Sequence, residues 1–178
     1  MRLAVYCGSK PGKDPRYAEA ARDLGKAMAE QQWELVFGGG HAGLMGVVAD
    51  SVLEYGGKAY GVIPEALMER EMAHKNLTEL HTVKDMHERK RLMMNMADAF
   101  VALPGGPGTM EELFEVWTWH MLGYHQKPCF LLNLHGYYDA FIELLDNMIS
   151  NEFAWADITQ SLEILASVEE LMQRLRCH

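Results

Sequence analysis

An apolar run, Ala99 to Leu103, passes through Pro104-Gly105-Gly106-Pro107-Gly108 into a segment where Met110, Leu113, Phe114, Trp117 and Met121 recur at offsets of three and four. A short apolar run bounded by proline and glycine reads as a buried strand of a parallel sheet, and the change of period at Thr109 marks an amphipathic helix. Glycine lets the backbone turn sharply and lets a ligand approach its N–H groups, which here meet the partly positive N-terminus of that helix. The stretch predicts an anion site, suited to a nucleotide or a sugar phosphate.

Glu112, just inside this helix, has two readings. Thr109-x-x-Glu112 fits a capping box, in which the carboxylate returns to the N-cap amide and contributes about 1 kcal/mol. In the other reading the carboxylate stands beside the anion and faces a bound sugar. Local sequence leaves both open.

The same alternation runs through the rest of the chain. Strands are expected at 3–6, 34–37, 59–63, 77–83, 99–103, 129–134 and 162–165. Helices are expected from Asp14-Pro15, with Tyr17, Ala21, Leu24 and Met28 on its apolar face, and at 43–55, 85–98, 109–121 and 137–149. Ser167-Val168-Glu169-Glu170 opens a last helix as a capping box. Strands alternating with helices predict an α/β fold, a single Rossmann-like doubly wound domain over residues 1–178 with a mainly parallel sheet flanked by helices. Ligands of such sheets bind beyond the carboxyl ends of the strands, and the glycine loops Cys7-Gly8-Ser9, Gly38-Gly39-Gly40 and Gly105-Gly106 all leave such ends.

Gly38-x-Gly40-x-x-Gly43 matches the dinucleotide fingerprint in letters but follows the second strand, so phosphate binding of another kind is the better reading. Glu65, Glu69 and Glu71 read as a solvated acidic face. In the helix at 85–98, Met86, Arg89, Leu92, Met93 and Met96 share one stripe, which puts a guanidinium on the apolar side. Arg89 there either snorkels or pairs with a carboxylate, or it clamps an anion. Its neighbours Lys84, His87, Lys90 and Arg91 make this the most basic stretch of the chain.

The net charge of -9 disfavours a nucleic-acid polymer as partner. Cys7, Cys129 and Cys177 are dispersed and odd in number, as expected of reduced thiols in a cytoplasmic protein, and no segment has the pattern of a signal peptide or the length of a membrane span. Eight histidines occur without H-E-x-x-H or Cys/His spacing, so neither a metal nor another cofactor is expected.

Met86-His87-Glu88-Arg89-Lys90 and Pro104-Gly105-Gly106-Pro107-Gly108-Thr109-Met110-Glu111-Glu112, taken together, resemble the Lonely Guy family of cytokinin riboside 5'-monophosphate phosphoribohydrolases, often mislabelled lysine decarboxylases. The similarity extends to Cys7-Gly8-Ser9, Gly38-Gly39-Gly40, Gly43-Leu44-Met45-Gly46, Val62-Ile63-Pro64 and Thr118-Trp119. It implies a homodimer that cleaves the N-glycosidic bond of adenosine-type 5'-monophosphates to free base and ribose 5-phosphate. Carried over by motif, Arg89 and Glu112 form the catalytic pair. Ser9, Gly39, Gly40, Glu71, Met86, Lys90, Gly105, Gly106, Pro107, Gly108, Thr109, Glu111 and Thr118 bind the nucleoside monophosphate. Pro107 departs from the aromatic often found at its motif position, which bears on loop stiffness. A general AMP nucleosidase and a non-catalytic nucleotide or cofactor carrier are the alternatives; a pyridoxal-dependent decarboxylase lacks a lysine in a Schiff-base setting.

Overall fold

A computed structural model describes residues 1–178 apart from Glu71, Trp155 and His178. Among the described residues seven strands form one sheet: β1 (Arg2–Tyr6), β2 (Glu34–Phe37), β3 (Ala59–Pro64), β4 (Glu79–Val83), β5 (Ala99–Ala102), β6 (Cys129–Leu132) and β7 (Glu163–Leu165). All neighbours are parallel, in the order β4-β3-β2-β1-β5-β6-β7. The helices are α1 (Pro15–Glu30), α2 (Gly43–Glu54), α3 (Met86–Met96), α4 (Pro107–Met121), α5 (Asp139–Ser150) and α6 (Val168–Leu175). The expected α/β class and strand order of appearance hold, with ends displaced by one or two residues.

Alternation along the strands divides the core into two layers. Leu3 and Val5 of β1 pack with Leu35 and Phe37 of β2 against Ala21, Leu24 and Met28 of α1, α2 and Leu171 of α6. Ala4 and Tyr6 face the other way, with Phe100 of β5, toward Met93 of α3, Leu113 and Trp117 of α4 and Leu145 of α5. A sheet covered on both faces needs strands that are apolar throughout, which is why these runs lack the polar alternation of a half-exposed strand.

Side chains set several helix ends. Asp14 accepts from the Arg16 N–H at 3.0 Å with Pro15 at the first helical position. Asp85 accepts from the Glu88 N–H at 2.8 Å while Glu88 accepts from the Lys84 N–H at 2.8 Å. Ser167 and Glu170 repeat this at α6, the return contact going to the Ala166 N–H at 2.8 Å. At α4 the structure departs from expectation. Proline has the fixed φ of a first helical residue, so the helix begins at Pro107 with Gly106 as its N-cap, and Thr109 lies inside the first turn. Thr109 is therefore no N-cap, and the capping-box reading of Glu112 falls. Met121, expected on the apolar face, is 44% exposed because the last turn outruns the layer below it.

After β1 the chain moves outward through β2 and β3 to the edge strand β4, then returns to place β5 on the other side of β1. The loop leaving β1 leads to α1 on one face, and the loop leaving β5 leads to α4 on the other. Their divergence opens a crevice at the carboxyl ends of the two strands, the switch point of a doubly wound sheet.

Between β3 and β4 the chain turns at Glu65–Leu67 and crosses the loop leaving β2. Gly40 bridges Ala73 in antiparallel fashion, the His41 N–H donates to Met72 at 2.9 Å and the His74 N–H donates to Gly39 at 2.9 Å. The imidazole of His74 is buried, and its Nδ1 accepts from the Asn76 N–H at 3.2 Å. That bond puts the ring proton on Nε2, which donates to Asp50 on α2 at 2.9 Å. His74 thus fastens the 65–76 segment to the body of the sheet. Replacing it by alanine removes two hydrogen bonds and leaves a hole, so His74→Ala should lower stability by about 1–3 kcal/mol, read as a lower urea midpoint at unchanged slope.

Candidate active site

Arg89 stands on the sheet-facing stripe of α3 and is 4% exposed. Its Nη2 donates to the Gly38 carbonyl at 2.9 Å, and Nη1 lies 3.7 Å from the Met86 sulfur. A Cβ at Gly38 would come within 2.1 Å of that Nη2, so the guanidinium reaches this carbonyl only because the residue after β2 is glycine. Arg89 therefore does not snorkel. It lies in the crevice and lines a cleft of about 230 Å³ together with Glu112 of α4.

The glycine loop supplies another wall of the cleft, through Gly106, Pro107, Gly108 and Thr109. The first N–H groups of a helix lack intrahelical partners; Pro107 has none to offer, which leaves Gly106, Gly108 and Thr109 as donors toward an anion. Thr109 is 4% exposed and packs on Gly105, where a Cβ would lie 2.1 Å from its Oγ1. Ser9 stands exposed on the facing loop, and Met86 and Leu67 complete the rim. Cys7 lines the cleft as well. Burial pushes its thiol far above the ordinary range and the Glu112 carboxylate adds to this, so Cys7 is a neutral thiol there and no nucleophile.

Other residues singled out from the sequence lie around this cleft. Lys90, one position on from Arg89, turns to α4 and pairs with Glu111 and, at 3.1 Å, with Glu115. Burial works against its ammonium, but the bonds to Glu111 and Glu115 prevail and raise its pKa. Thr118 is half-buried farther along α4. Gly39 and Gly40 are buried behind the loop, Gly39 at φ +78 against Gly61. Of the predicted site residues, Gly39, Gly40, Lys90, Gly105, Glu111 and Thr118 fall outside the cleft lining, and Glu71 lies outside the described residues. Gly38, Met45, Leu67 and Cys7 line it without having been marked as site residues. Gly38 was legible as the first residue beyond a strand, whereas Met45 entered only within the Gly43-Leu44-Met45-Gly46 stretch of the resemblance and Leu67 drew no reading of its own.

His41, Asp50 and His74 bring three ligand-type atoms within 4.8 Å of one another. His74 Nδ1 is occupied by the Asn76 N–H and Nε2 carries the proton given to Asp50, which leaves the ring no lone pair for a cation. The group is a latch on the 65–76 segment.

A parallel doubly wound sheet with a glycine loop, a buried arginine and a carboxylate at its switch point defines a Rossmann-like protein with a cleft at that point. The family model described as "Possible lysine decarboxylase" matches residues 45–175. A cytokinin riboside 5'-monophosphate phosphoribohydrolase of Oryza sativa subsp. japonica is 45% identical over 98% of this chain and 72% of its own length. One of Arabidopsis thaliana is 44% identical over 98% and 80%, and one of Rhodococcoides fascians 42% identical over 98% and 88%. Among solved structures, a molybdenum cofactor binding protein of Rippkaea orientalis superposes with a TM-score of 0.72 at 18% identity, over 99% of this chain and 95% of that one. At that identity the likeness shows the fold alone. The chain belongs to the Lonely Guy family of phosphoribohydrolases.

Cys7 and Cys129 are buried and their thiols pushed up by burial, Cys129 to about 12, while Cys177 is exposed. Iodoacetamide at neutral pH should modify Cys177 alone in the native protein and all three thiols after denaturation, counted by mass spectrometry.

Proposed function

We propose that this protein hydrolyses the N-glycosidic bond of cytokinin riboside 5'-monophosphates, releasing the free base and ribose 5-phosphate. The observation that carries the reading is the convergence of Arg89, Glu112 and the N-terminus of α4 on one cleft. The similarity to phosphoribohydrolases over 98% of this chain supports it.

The phosphate is held by the backbone donors of Gly106, Gly108 and Thr109, where the helix end favours negative charge. Glu112 follows one turn into the helix and so faces the sugar when the phosphate is anchored at the loop. Breaking the bond from C1' to the base nitrogen builds positive charge on the ribose ring, and a carboxylate aimed at that oxocarbenium-like centre lowers its energy. Water then adds at C1' and gives its proton to Glu112, the bonding pair leaves with the base nitrogen, and that nitrogen takes up a proton, from Glu112 or from solvent with Glu112 releasing its own, so that neutral base departs and the carboxylate is restored. Arg89, fixed by the Gly38 carbonyl, binds phosphate or ribose oxygens and balances the charge of Glu112.

Lys90, Glu111 and Glu115 act behind the cleft by tying α3 to α4, which sets the spacing of Arg89 and Glu112. A pyridoxal-type decarboxylation has no support in these residues, because a lysine that forms a Schiff base needs a depressed pKa and that of Lys90 is raised. Residues 1–178 act as one unit, a cytoplasmic homodimer in this reading. Exposed Met121, Leu122 and Tyr124 at the end of α4 offer apolar surface for the second copy. Light scattering should then give twice the chain mass of 20.2 kDa.

Glu112→Gln keeps the shape of the side chain and removes its charge. Chromatography of products from AMP and from isopentenyladenosine 5'-monophosphate should show base released by the wild type and about 10³-fold less by the variant, with melting temperature unchanged. Near-normal turnover by Glu112→Gln would sink the catalytic assignment. Release from AMP alone would make the protein a general AMP nucleosidase, and binding without release a carrier.

A further inference from the structure

Three successive carbonyls of the glycine loop accept hydrogen bonds from outside it. Leu103 accepts from the Tyr138 hydroxyl at 2.7 Å, Pro104 from the Gly8 N–H at 3.0 Å, and Gly105 from the Tyr137 hydroxyl at 2.6 Å. The two tyrosines stand side by side between β6 and α5. Asn133 fixes their turn, accepting from the Tyr138 N–H at 2.7 Å and donating to Asp139 at 2.8 Å. The Tyr137 ring is itself held edge-on, 5.6 Å from Tyr17 and 4.8 Å from Tyr138.

In a trans peptide the carbonyl and the following N–H point opposite ways. A Gly105 carbonyl turned to Tyr137 therefore sends the Gly106 N–H away from Tyr137. Tyr137 lines a neighbouring chamber of about 340 Å³, and Gly106 and Pro107 form a wall between that chamber and the cleft of Arg89, Glu112, Gly108 and Thr109. The N–H of Gly106 is thereby turned away from the chamber side of this shared wall. With Pro107 contributing no donor, it is one of only three backbone N–H groups at the start of α4 that can serve an anion.

The Gly105–Gly106 peptide is also the one most easily turned over. Gly106 sits at φ -94 and ψ -161, and a half-turn of the peptide carries its φ to a positive value, which glycine adopts freely. The flipped peptide would present a carbonyl oxygen to the phosphate instead of an N–H. Neither flanking residue resists this, since both are glycine.

We propose that Tyr137 is a positioning residue whose hydroxyl holds the Gly105–Gly106 peptide with its N–H toward the phosphate. The inference rests on the phosphate-binding role given to the loop above. Tyr137 is 43% exposed and its ring stays packed when the hydroxyl is removed, so Tyr137→Phe leaves the fold intact.

The test compares the full-length wild type with Tyr137→Phe in calorimetric binding of AMP and inorganic phosphate, steady-state turnover of isopentenyladenosine 5'-monophosphate, melting temperature and the amide NMR signal of Gly106. Loss of this hydrogen bond should raise both dissociation constants and KM about tenfold, with kcat changed by less than about twofold. Melting should be unaltered, and the Gly106 amide signal should broaden or split as the peptide samples both orientations. Unchanged affinity for AMP and phosphate would overturn the proposal, as would a fall in kcat and melting temperature at constant KM, which marks a merely structural role. A wild type that binds AMP but releases no base would refute the hydrolase reading while the binding comparison still judges Tyr137. A wild type that binds neither AMP nor phosphate would overturn both.

Discussion

Parallel pairing of β1 with β5 sets Tyr6 beside Ala102, so the chain leaves the sheet at two adjacent points in the same direction. The two exits then part, one toward α1 and the other toward α4. Backbone cannot fill the space between them, and a crevice follows from topology before any side chain is considered. The two exits are tied together by the hydrogen bond from the Gly8 N–H to the Pro104 carbonyl, and Gly8 lines the cleft beside it. Displacing β5 to a sheet edge would separate the anion loop from the Ser9 loop and from Gly38, and no site would remain.

Within the crevice the arrangement is electrostatic. A guanidinium taken out of water costs several kcal/mol unless its donors are engaged, and the Gly38 carbonyl supplies part of that engagement for Arg89. In the proposed reaction the helix end supplies partial positive charge for the phosphate, and Glu112 supplies negative charge for the sugar as it becomes cationic. These demands conflict within one small cleft. Lys90 relieves part of the conflict from behind, neutralising Glu111 and Glu115 so that Glu112 faces the cleft beside fewer uncompensated carboxylates. The segment at 65–76 reaches the same cleft through Leu67, and it is held by the His74–Asp50 bond together with the Gly40–Ala73 bridge and the backbone bonds of Gly39 and His41.

Much of this was legible in the chain because it is governed by local rules. Short apolar runs beside glycine or proline gave most of the strands, since the interior of a sheet covered on both faces tolerates no polar alternation. Asp14, Asp85 and Ser167 marked helix starts because a side-chain oxygen must satisfy N–H groups there. The start of α4 was misplaced for a local reason too: Thr109 resembles a cap, but Pro107 two residues earlier already has the backbone of a first helical turn. Arg89 and Glu112 stood out as a guanidinium on an apolar stripe and an acid after a glycine loop.

Residue pattern by itself determined the α/β class, the glycine loop between a buried strand and a helix, and the pairing of motifs that marks the family, because each depends on neighbours within a few positions. Tertiary structure alone decided that Arg89 lies against Gly38, that Lys90 turns away to Glu111 and Glu115, and that Met45 and Leu67 wall the cleft. It also decided that the tyrosines after β6 grip the carbonyls of a loop more than thirty positions earlier. Such contacts join residues far apart in the chain, and they exist only once strand order has brought β1, β5 and β6 side by side.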